Sequence, residues 1–273
     1  MNTLRFYVRG VFAVAGQRVL TSTRYPVDFW TSLVGPFFSV AVSMYLARAF
    51  IPPGDAASRS LAGVPDYRAF ILTSMVLWSY IETQLYFGFS LEGEMRRGTL
   101  ESVFLSPLPS WCYLTGLSVY GMLRASLEAL AALALGFLFF GAGVTPNWPM
   151  VAVAFILNLF VVYGYGLILA AAILVFRSGM FTYVWDCLLP LLVGEAYSIA
   201  VLPKPLQSVA RLIPLTYGLD LIRWAVSGAP TFAPVPLEFI VTGGSAVLVP
   251  GVGLWVFSIL ERAAKRRGTL GQF

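Results

Sequence analysis

The chain has 273 residues, of which 58% are hydrophobic and 11% are charged, whereas soluble domains carry about 25% charged residues. So little polar surface excludes an ordinary soluble fold, and the lack of histidine excludes the usual zinc sites and histidine-assisted nucleophiles. The net charge of +5 does not require a nucleic-acid partner, because basic residues collect on the cytoplasmic side of membrane proteins. The composition therefore predicts a membrane protein with the lipid bilayer as its solvent.

Residues 1–28 are basic and partly apolar, which predicts a helix lying in the membrane surface. On a helical wheel most apolar side chains share one broad face, and Arg5 and Arg9 lie opposite it. Arg18 falls on the apolar side, so its guanidinium is expected to reach sideways toward the lipid headgroups. An ordinary frayed tail is the alternative interpretation.

Six apolar segments reach the length of about 20 residues that a transmembrane helix needs. These predicted spans are 29–50, 67–90, 111–140, 149–176, 180–201 and 237–260. Because no soluble domain interrupts them, the chain is predicted to be one all-α polytopic transmembrane domain over 1–273. The prolines of 202–236 leave 215–228 as the only helical run there, too short to span and suited to a re-entrant or interfacial helix. A basic tail, 261–273, follows the last span.

The basic residues predict the orientation of these spans. Six spans place both termini on one side, which holds eleven arginines and lysines against six on the other side. Because basic residues concentrate in cytoplasmic loops, both termini are expected in the cytoplasm, with the chain in the cell membrane.

The loop 91–110, between the second and third spans, is the densest mixed-charge stretch of the chain. Its sequence, LEGEMRRGTLESVFLSPLPS, combines carboxylates and arginines with a partial apolar side, and Pro107 and Pro109 end it. The pattern predicts a short amphipathic helix at the cytoplasmic surface, of a kind that docks into the groove of a soluble partner. A solvated juxtamembrane loop is the alternative.

Five ionisable residues fall inside the predicted spans. Charges are costly there, so each is a candidate for a functional role. They are Glu82, Arg124, Glu128, Asp186 and Glu195. Arg124 and Glu128 are four residues apart on one helix and are expected to pair, and Glu82 can pair with Arg124 between helices.

Two motifs extend this picture. The loop contains EMRRGTLE at 94–101 with Ser-Pro at 106–107, and IPLTYGLDLIR at 213–223 precedes the last span. Together they resemble the signatures of the permease subunits of ABC type-2 exporters, although Ile213 stands where asparagine is common. The N-terminal helix, the six spans and the length are also similar, so the resemblance covers essentially the whole chain.

The resemblance implies that 91–110 is a coupling helix that docks on a separate cytoplasmic ATPase subunit. The residues that it implies for this contact are Glu94, Arg96, Arg97, Gly98, Thr99, Leu100, Glu101 and Phe104. Charged members are expected to make polar contacts, Leu100 and Phe104 to anchor the contact, and Gly98 to allow close approach of the backbone. ATP and Mg would be bound by the partner, since the sequence has no GxxxxGK[ST] motif and this chain is expected to carry no cofactor or ATPase site of its own.

The resemblance further implies that 202–236 forms re-entrant helices near the outer surface. The residues that it implies for this outer gate are Pro214, Thr216, Tyr217, Asp220 and Arg223. Two permease copies, expected to be identical, would pair around a central pathway.

The expected function is outward, ATP-driven transport of a hydrophobic or amphipathic substrate such as a drug or a lipid. Export of a lipid-linked polysaccharide is the alternative within the same architecture. From another class, an ion-coupled secondary transporter could use the intramembrane charges without an ATPase. An intramembrane enzyme is disfavoured, because the sequence offers no nucleophile–base motif and no metal cluster.

Overall fold

A computed structural model describes residues 3–50, 67–140, 146–176 and 180–266. Every regular element within these ranges is helical, as predicted. The elements are α1 (Thr3–Arg24), α2 (Pro26–Phe50), α3 (Tyr67–Arg96), α4 (Leu100–Phe104), α5 (Ser110–Phe140), α6 (Trp148–Phe176), α7 (Met180–Val193), a 3-10 turn (Ile199–Val201), α8 (Lys204–Ala210), α9 (Pro214–Ser227) and α10 (Val235–Arg266). The predicted tail 261–273 is described only as far as Arg266, where α10 ends.

Three helices in the described residues are long and apolar enough to cross a membrane. They are Ser110–Ala134 in α5, Trp148–Phe176 (α6) and Val235–Arg266 (α10). A shorter apolar helix, Tyr183–Val193, lies within α7. These helices coincide with the predicted third, fourth and sixth spans and support a helical membrane protein.

Helix α6 is the centre of the packing and lies against α10, α3 and α9. Its backbone comes close to that of α10, since a Cβ added at Gly164 would lie 2.5 Å from the Pro250 nitrogen. In a bilayer the hydrophobic effect does not drive helices together. Small residues at the helix interface allow close approach, and the helices then gain van der Waals contact. Helix α1 packs on α5 and leaves large apolar side chains such as Leu4, Phe12 and Leu20 exposed.

The predicted fifth span, 180–201, is wrong as one continuous helix. Helix α7 ends at Val193 after 14 residues, which corresponds to about 21 Å at 1.5 Å per residue. Gly194 then takes a left-handed conformation with φ of +73°, and a Cβ there would lie 2.7 Å from the Tyr197 carbonyl oxygen. A residue of this kind ends a helix, because its φ cannot continue the helical turn.

The proline-rich stretch 202–236 contains more helix than predicted. The expected run 215–228 is confirmed as α9 (Pro214–Ser227), which has proline at its first turn and an apolar face buried in the fold. The short helix α8 (Lys204–Ala210) was missed, because the prolines at 203, 205 and 214 argued against a helix there, whereas Pro205 in fact fits the first helical turn.

Candidate functional site

The loop 91–110, called the elbow below, is not a separate amphipathic helix. Its first residues continue α3 to Arg96, and only the short α4 follows. Gly98 ends α3 with φ of +68°, its N–H donating to the Met95 carbonyl at 3.0 Å, and the Thr99 N–H donates to the Glu94 carbonyl at 3.0 Å. This pair of bonds is a Schellman cap, which needs a left-handed residue at the glycine position.

The cap revises the role expected for Gly98. A Cβ at this position would meet no atom of the described chain within 4 Å. Within this chain the glycine is therefore required by its φ and not by close approach of a neighbouring backbone.

The inner face of the elbow is part of the protein core. Leu91, Met95, Leu100 and Phe104 are all buried there and pack against α5 and α10 side chains such as Phe257. Leu100 and Phe104, which were expected to anchor an ATPase, are 0% and 6% exposed and fill the core of this chain instead of its surface. An apolar side chain that fills its own core has no surface to offer a partner.

Glu94 lies at the centre of a hydrogen-bonded cluster that joins three helices. Its carboxylate accepts from Arg18 of α1 at 2.7 Å and from Thr99, and Arg18 also donates to the Tyr113 hydroxyl of α5 at 2.8 Å. Burial by itself raises the pKa of Glu94, but hydrogen bonds from Thr99 and Arg18, with the charges of Arg18 and Arg97, outweigh it and hold the pKa below its ordinary value. The position of Arg18 on the helical wheel predicted that its guanidinium reaches toward the lipid headgroups. In the structure it bonds to Glu94 and Tyr113 instead.

The outer face of the elbow is polar and basic. Arg96 bonds to Glu92 at 2.8 Å yet keeps 69% of its side chain exposed, and Arg97 is exposed as well. Leu105 is 76% exposed and is the large apolar side chain of this face within the described residues. The side chain of Glu101 lies outside the described part of the chain.

The end of α10 holds the elbow from the other side. Ser110, at the start of α5, donates to Glu261, and Lys265 bonds to Glu261 at 2.7 Å. The Lys265 ammonium also lies 5.4 Å from the centre of the Phe104 ring. The elbow is thus tied to α1, α5 and α10 together, so a force on it reaches several helices.

A cavity of about 950 Å³, called the furrow below, begins at the elbow and continues between α1, α2, α3 and α5. On α3 its lining extends from Met75 to Glu94, a step of 19 residues or about 28 Å at 1.5 Å per residue. The hydrocarbon core of a bilayer is about 30 Å thick. The furrow is therefore long enough to reach across most of a membrane.

Four of the five predicted intramembrane charges line the furrow. Glu82 faces it from α3, Arg124 and Glu128 from α5, and Glu195 from the turn after α7. The Arg124–Glu128 pair is confirmed, with nitrogen and oxygen 2.9 Å apart. The predicted direct pair between Glu82 and Arg124 is not formed, although the two lie within electrostatic range. Asp186 lies on α7 outside this lining.

Three of the residues expected at the outer gate, Thr216, Asp220 and Arg223, are buried. Arg223 is 1% exposed and donates to the Ser74 hydroxyl at 2.8 Å, to the Gly194 carbonyl at 2.7 Å and to the Glu195 carbonyl at 2.6 Å. Asp220 pairs with it at 3.4 Å. The guanidinium thus joins α9 to α3 and to the turn after α7.

The remaining members of that set act within the same segment. Pro214 begins α9, the Thr216 hydroxyl donates to the Ala210 carbonyl at 2.9 Å, and the Tyr217 hydroxyl donates to the Arg211 carbonyl at 3.0 Å. These bonds fix the connection between α8 and α9. Within the described residues, Pro214, Thr216 and Tyr217 therefore serve to position α8 and α9 relative to each other.

Sequence reasoning missed one buried acid, Glu238 in the first turn of α10. It is fully buried, and one carboxylate oxygen accepts from the Ala233 N–H at 3.2 Å while the other has no hydrogen-bond partner among the described residues. Its position inside the predicted sixth span was the signal that could have found it. Arg18 and Tyr113 were missed as partners of Glu94 because tertiary contacts, and not sequence spacing, bring them together.

Comparison with known proteins does not identify a family for this chain. No model of a known family matches the chain, and no curated protein matches it either. Among the described residues no group of three or more His, Cys, Asp or Glu is placed to hold a metal. Fold and site together define a helical membrane protein with a charged furrow that opens beside a surface elbow.

Proposed function

We propose that this chain is the permease subunit of an ATP-driven ABC exporter whose ATPase is a separate polypeptide. The observation that carries the proposal is the elbow, which has a buried apolar side and an exposed basic side at one end of a membrane-length furrow. A surface segment tied to three helices is suited to transmit motion from a soluble partner. The motif resemblance of 94–101 and 213–223 supports the same function.

The proposed arrangement has six spans, with both termini and the elbow in the cytoplasm. α2, α3 and the α7 region supply the three spans beyond the apolar helices α5, α6 and α10. Two copies, expected to be identical, pair in the membrane, and each elbow docks on an ATPase subunit that binds ATP and Mg. Closure of the ATPases moves the elbows and alternates access to the furrow.

The ATPase contact is assigned to the exposed face of the elbow. Arg96, Arg97, Ser102, Leu105 and Ser106 are exposed there and replace the buried Leu100 and Phe104 as the contact residues. Glu94 has a different role, because its bonds to Arg18 and Thr99 connect the elbow to α1. Movement of the elbow therefore acts on a helix that lines the furrow.

The furrow is the proposed substrate pathway. Ligand pockets usually measure about 300–1,000 Å³, and the volume of the furrow falls within this range. Its lining combines apolar and aromatic side chains with many charged and hydroxyl groups. A hydrophobic or amphipathic substrate, such as a drug or a lipid, suits this lining. A lipid-linked polysaccharide is the alternative substrate.

An ion-coupled secondary transporter is the second candidate, favoured by the carboxylates in the furrow. It would need no ATPase and no docking surface. Transport by the purified chain in ATP-free vesicles under a proton gradient would support it and contradict the exporter.

Co-purification tests the exporter directly. The tagged full-length chain is extracted in mild detergent, and the recovered proteins are identified by mass spectrometry. The expected result is a soluble P-loop ATPase in a fixed ratio to the permease, with recovery reduced in Arg96→Glu/Arg97→Glu. A matched variant, Arg5→Glu/Arg9→Glu, reverses the same charge on α1 and is expected to leave recovery unchanged. Absence of any ATPase from the wild-type complex contradicts the proposal.

A further inference from the structure

The middle of the furrow holds more carboxyl groups than basic groups. Three carboxylates, of Glu82, Glu128 and Glu195, face it with a single guanidinium, of Arg124. That guanidinium is already bonded to Glu128 at 2.9 Å. No described residue forms a hydrogen bond or an ion pair with the carboxylate of Glu82 or of Glu195, and each senses other charges only through space. Two carboxylates therefore face the cavity without a direct partner in the described part of the chain.

Aromatic and sulfur-containing side chains occupy the same stretch of the furrow. Trp78, Phe87, Phe89, Tyr120 and Met75 contribute to its wall alongside Glu82. The face of an aromatic ring attracts a cation, and the attraction grows when water is excluded. A wall that combines aromatic side chains with carboxylates suits a ligand that is both apolar and positively charged.

The other arginines near the furrow do not cancel this excess. Arg18, at the elbow end, is bonded to Glu94 and Tyr113. Arg97 is exposed at the rim of the furrow, beside Glu94. Arg223 lies near Glu195, but it is paired with Asp220 and directs its hydrogen bonds to backbone carbonyls and Ser74. Asp186, within electrostatic range of both Glu82 and Glu195, adds further negative charge.

We infer that the furrow binds an amphipathic organic cation, with its charge held between Glu82 and Glu195 and its apolar body against Trp78 and its aromatic neighbours. The inference rests on the proposed function and narrows its substrate class. A lipid-linked phosphate, the alternative substrate, would place an anion among carboxylates, and like charges at short range repel each other. The furrow therefore selects by the sign of the charge.

Two probes of nearly equal shape and opposite charge test this directly. Tetraphenylphosphonium is a lipophilic cation, and tetraphenylborate is its anionic counterpart. The purified full-length chain is placed in lipid nanodiscs, and binding of each labelled probe is measured after subtraction of the signal from protein-free nanodiscs. Saturable binding of the cation and none of the anion is expected. Saturable binding of the anion with equal or greater affinity overturns the inference.

Variants locate the site. Glu82→Gln and Glu195→Gln each keep the side-chain volume and are expected to weaken cation binding by about tenfold or more, as loss of a charged partner does. The matched control is Glu92→Gln, which changes a carboxylate that bonds to Arg96 outside the furrow. Unchanged affinity in a folded Glu82→Gln/Glu195→Gln protein overturns the assignment. If that variant does not fold, the comparison of the two probes on the wild-type protein decides.

The exporter proposal and the cation-site proposal can be contradicted independently, because binding of the probes does not require an ATPase. Cation binding by a chain that recovers no ATPase contradicts the exporter and upholds the cation site. Recovery of the ATPase with saturable binding of the anion contradicts the cation site and upholds the exporter.

Discussion

The elbow and the segment 194–228, called the Arg223 segment below, lie at opposite ends of α3 and use arginine in opposite ways. Arg96 and Arg97 of the elbow are exposed, whereas Arg223 is buried against Ser74 and two backbone carbonyls. Ser74 and Glu94 are 20 residues apart on α3, or about 30 Å. One end of the helix therefore exposes its charges, and the other uses its charge to hold the chain together.

Removing Arg223 is expected to have the largest effect on stability. Arg223→Ala leaves Asp220 buried without its ion-pair partner and the Gly194 and Glu195 carbonyls without this donor, which costs about 4 kcal/mol. Arg96→Ala, at the other end of α3, removes a guanidinium that is 69% exposed and is expected to cost about 1 kcal/mol or less. The measurement is the free energy of unfolding of the purified full-length chain in detergent. Equal effects of the two substitutions would remove the distinction between the two ends.

Arg223→Lys sharpens this prediction. Lysine keeps the charge but lacks the planar guanidinium that reaches the hydroxyl, the carboxylate and the carbonyls together. We expect it to recover less than half of the lost stability. Full recovery would show that the charge alone matters at this position.

Phe104 and Leu105 are neighbours that test the inner and outer faces of the elbow. Phe104→Ala empties part of the core and is expected to cost about 3 kcal/mol. Leu105→Ala changes an exposed side chain and is expected to leave the free energy of unfolding within about 0.5 kcal/mol while reducing recovery of the ATPase. Reduced ATPase recovery for a folded Phe104→Ala, with no change for Leu105→Ala, would restore the first expectation that Phe104 is an anchor.

Periodicity and hydrophobicity were enough to predict elements whose signals are local. The helices at 111–140, 149–176 and 237–260 follow from their apolar length, and the Arg124–Glu128 pair follows from helical spacing. The burial of Leu100 and Phe104 could not be predicted, because a partial apolar face looks the same whether it packs inward or meets a partner. The end of α7 at Val193 depends on a turn whose carbonyls bond to Arg223, 29 residues from Gly194.

Glu94 tests how firmly the elbow is connected to α1. Glu94→Gln removes the charge that Arg18 and Thr99 stabilise, and we expect a loss of about 2 kcal/mol in the free energy of unfolding at neutral pH. Because the pKa of Glu94 is lowered in the folded protein, its contribution is present above the ordinary carboxyl pKa of about 4 and is lost as the pH falls through the folded value. The stability difference between wild type and variant should therefore shrink in acid.

The Arg18→Gln/Glu94→Gln double variant serves as the control for this pair. If the two side chains interact directly, the loss in the double variant is smaller than the sum of the losses in the single variants. Additive losses, or a difference that grows in acid, would contradict a salt bridge between Arg18 and Glu94 as the connection.

Substitution of Gly98 is expected to have a small effect on stability, and it distinguishes backbone strain from contact with the partner. Gly98→Ala should cost about 1 kcal/mol because alanine resists a φ of +68°, and Gly98→Asn should cost less because asparagine tolerates this conformation. Gly93→Ala is the matched control, since a Cβ there also meets nothing within 4 Å but the position is helical, so alanine is expected to be neutral or stabilising. Gly98→Ala could instead leave stability unchanged and lower recovery of the ATPase. That result would show that the glycine allows close approach of the partner, and that the contact surface of the elbow includes the Gly98 backbone.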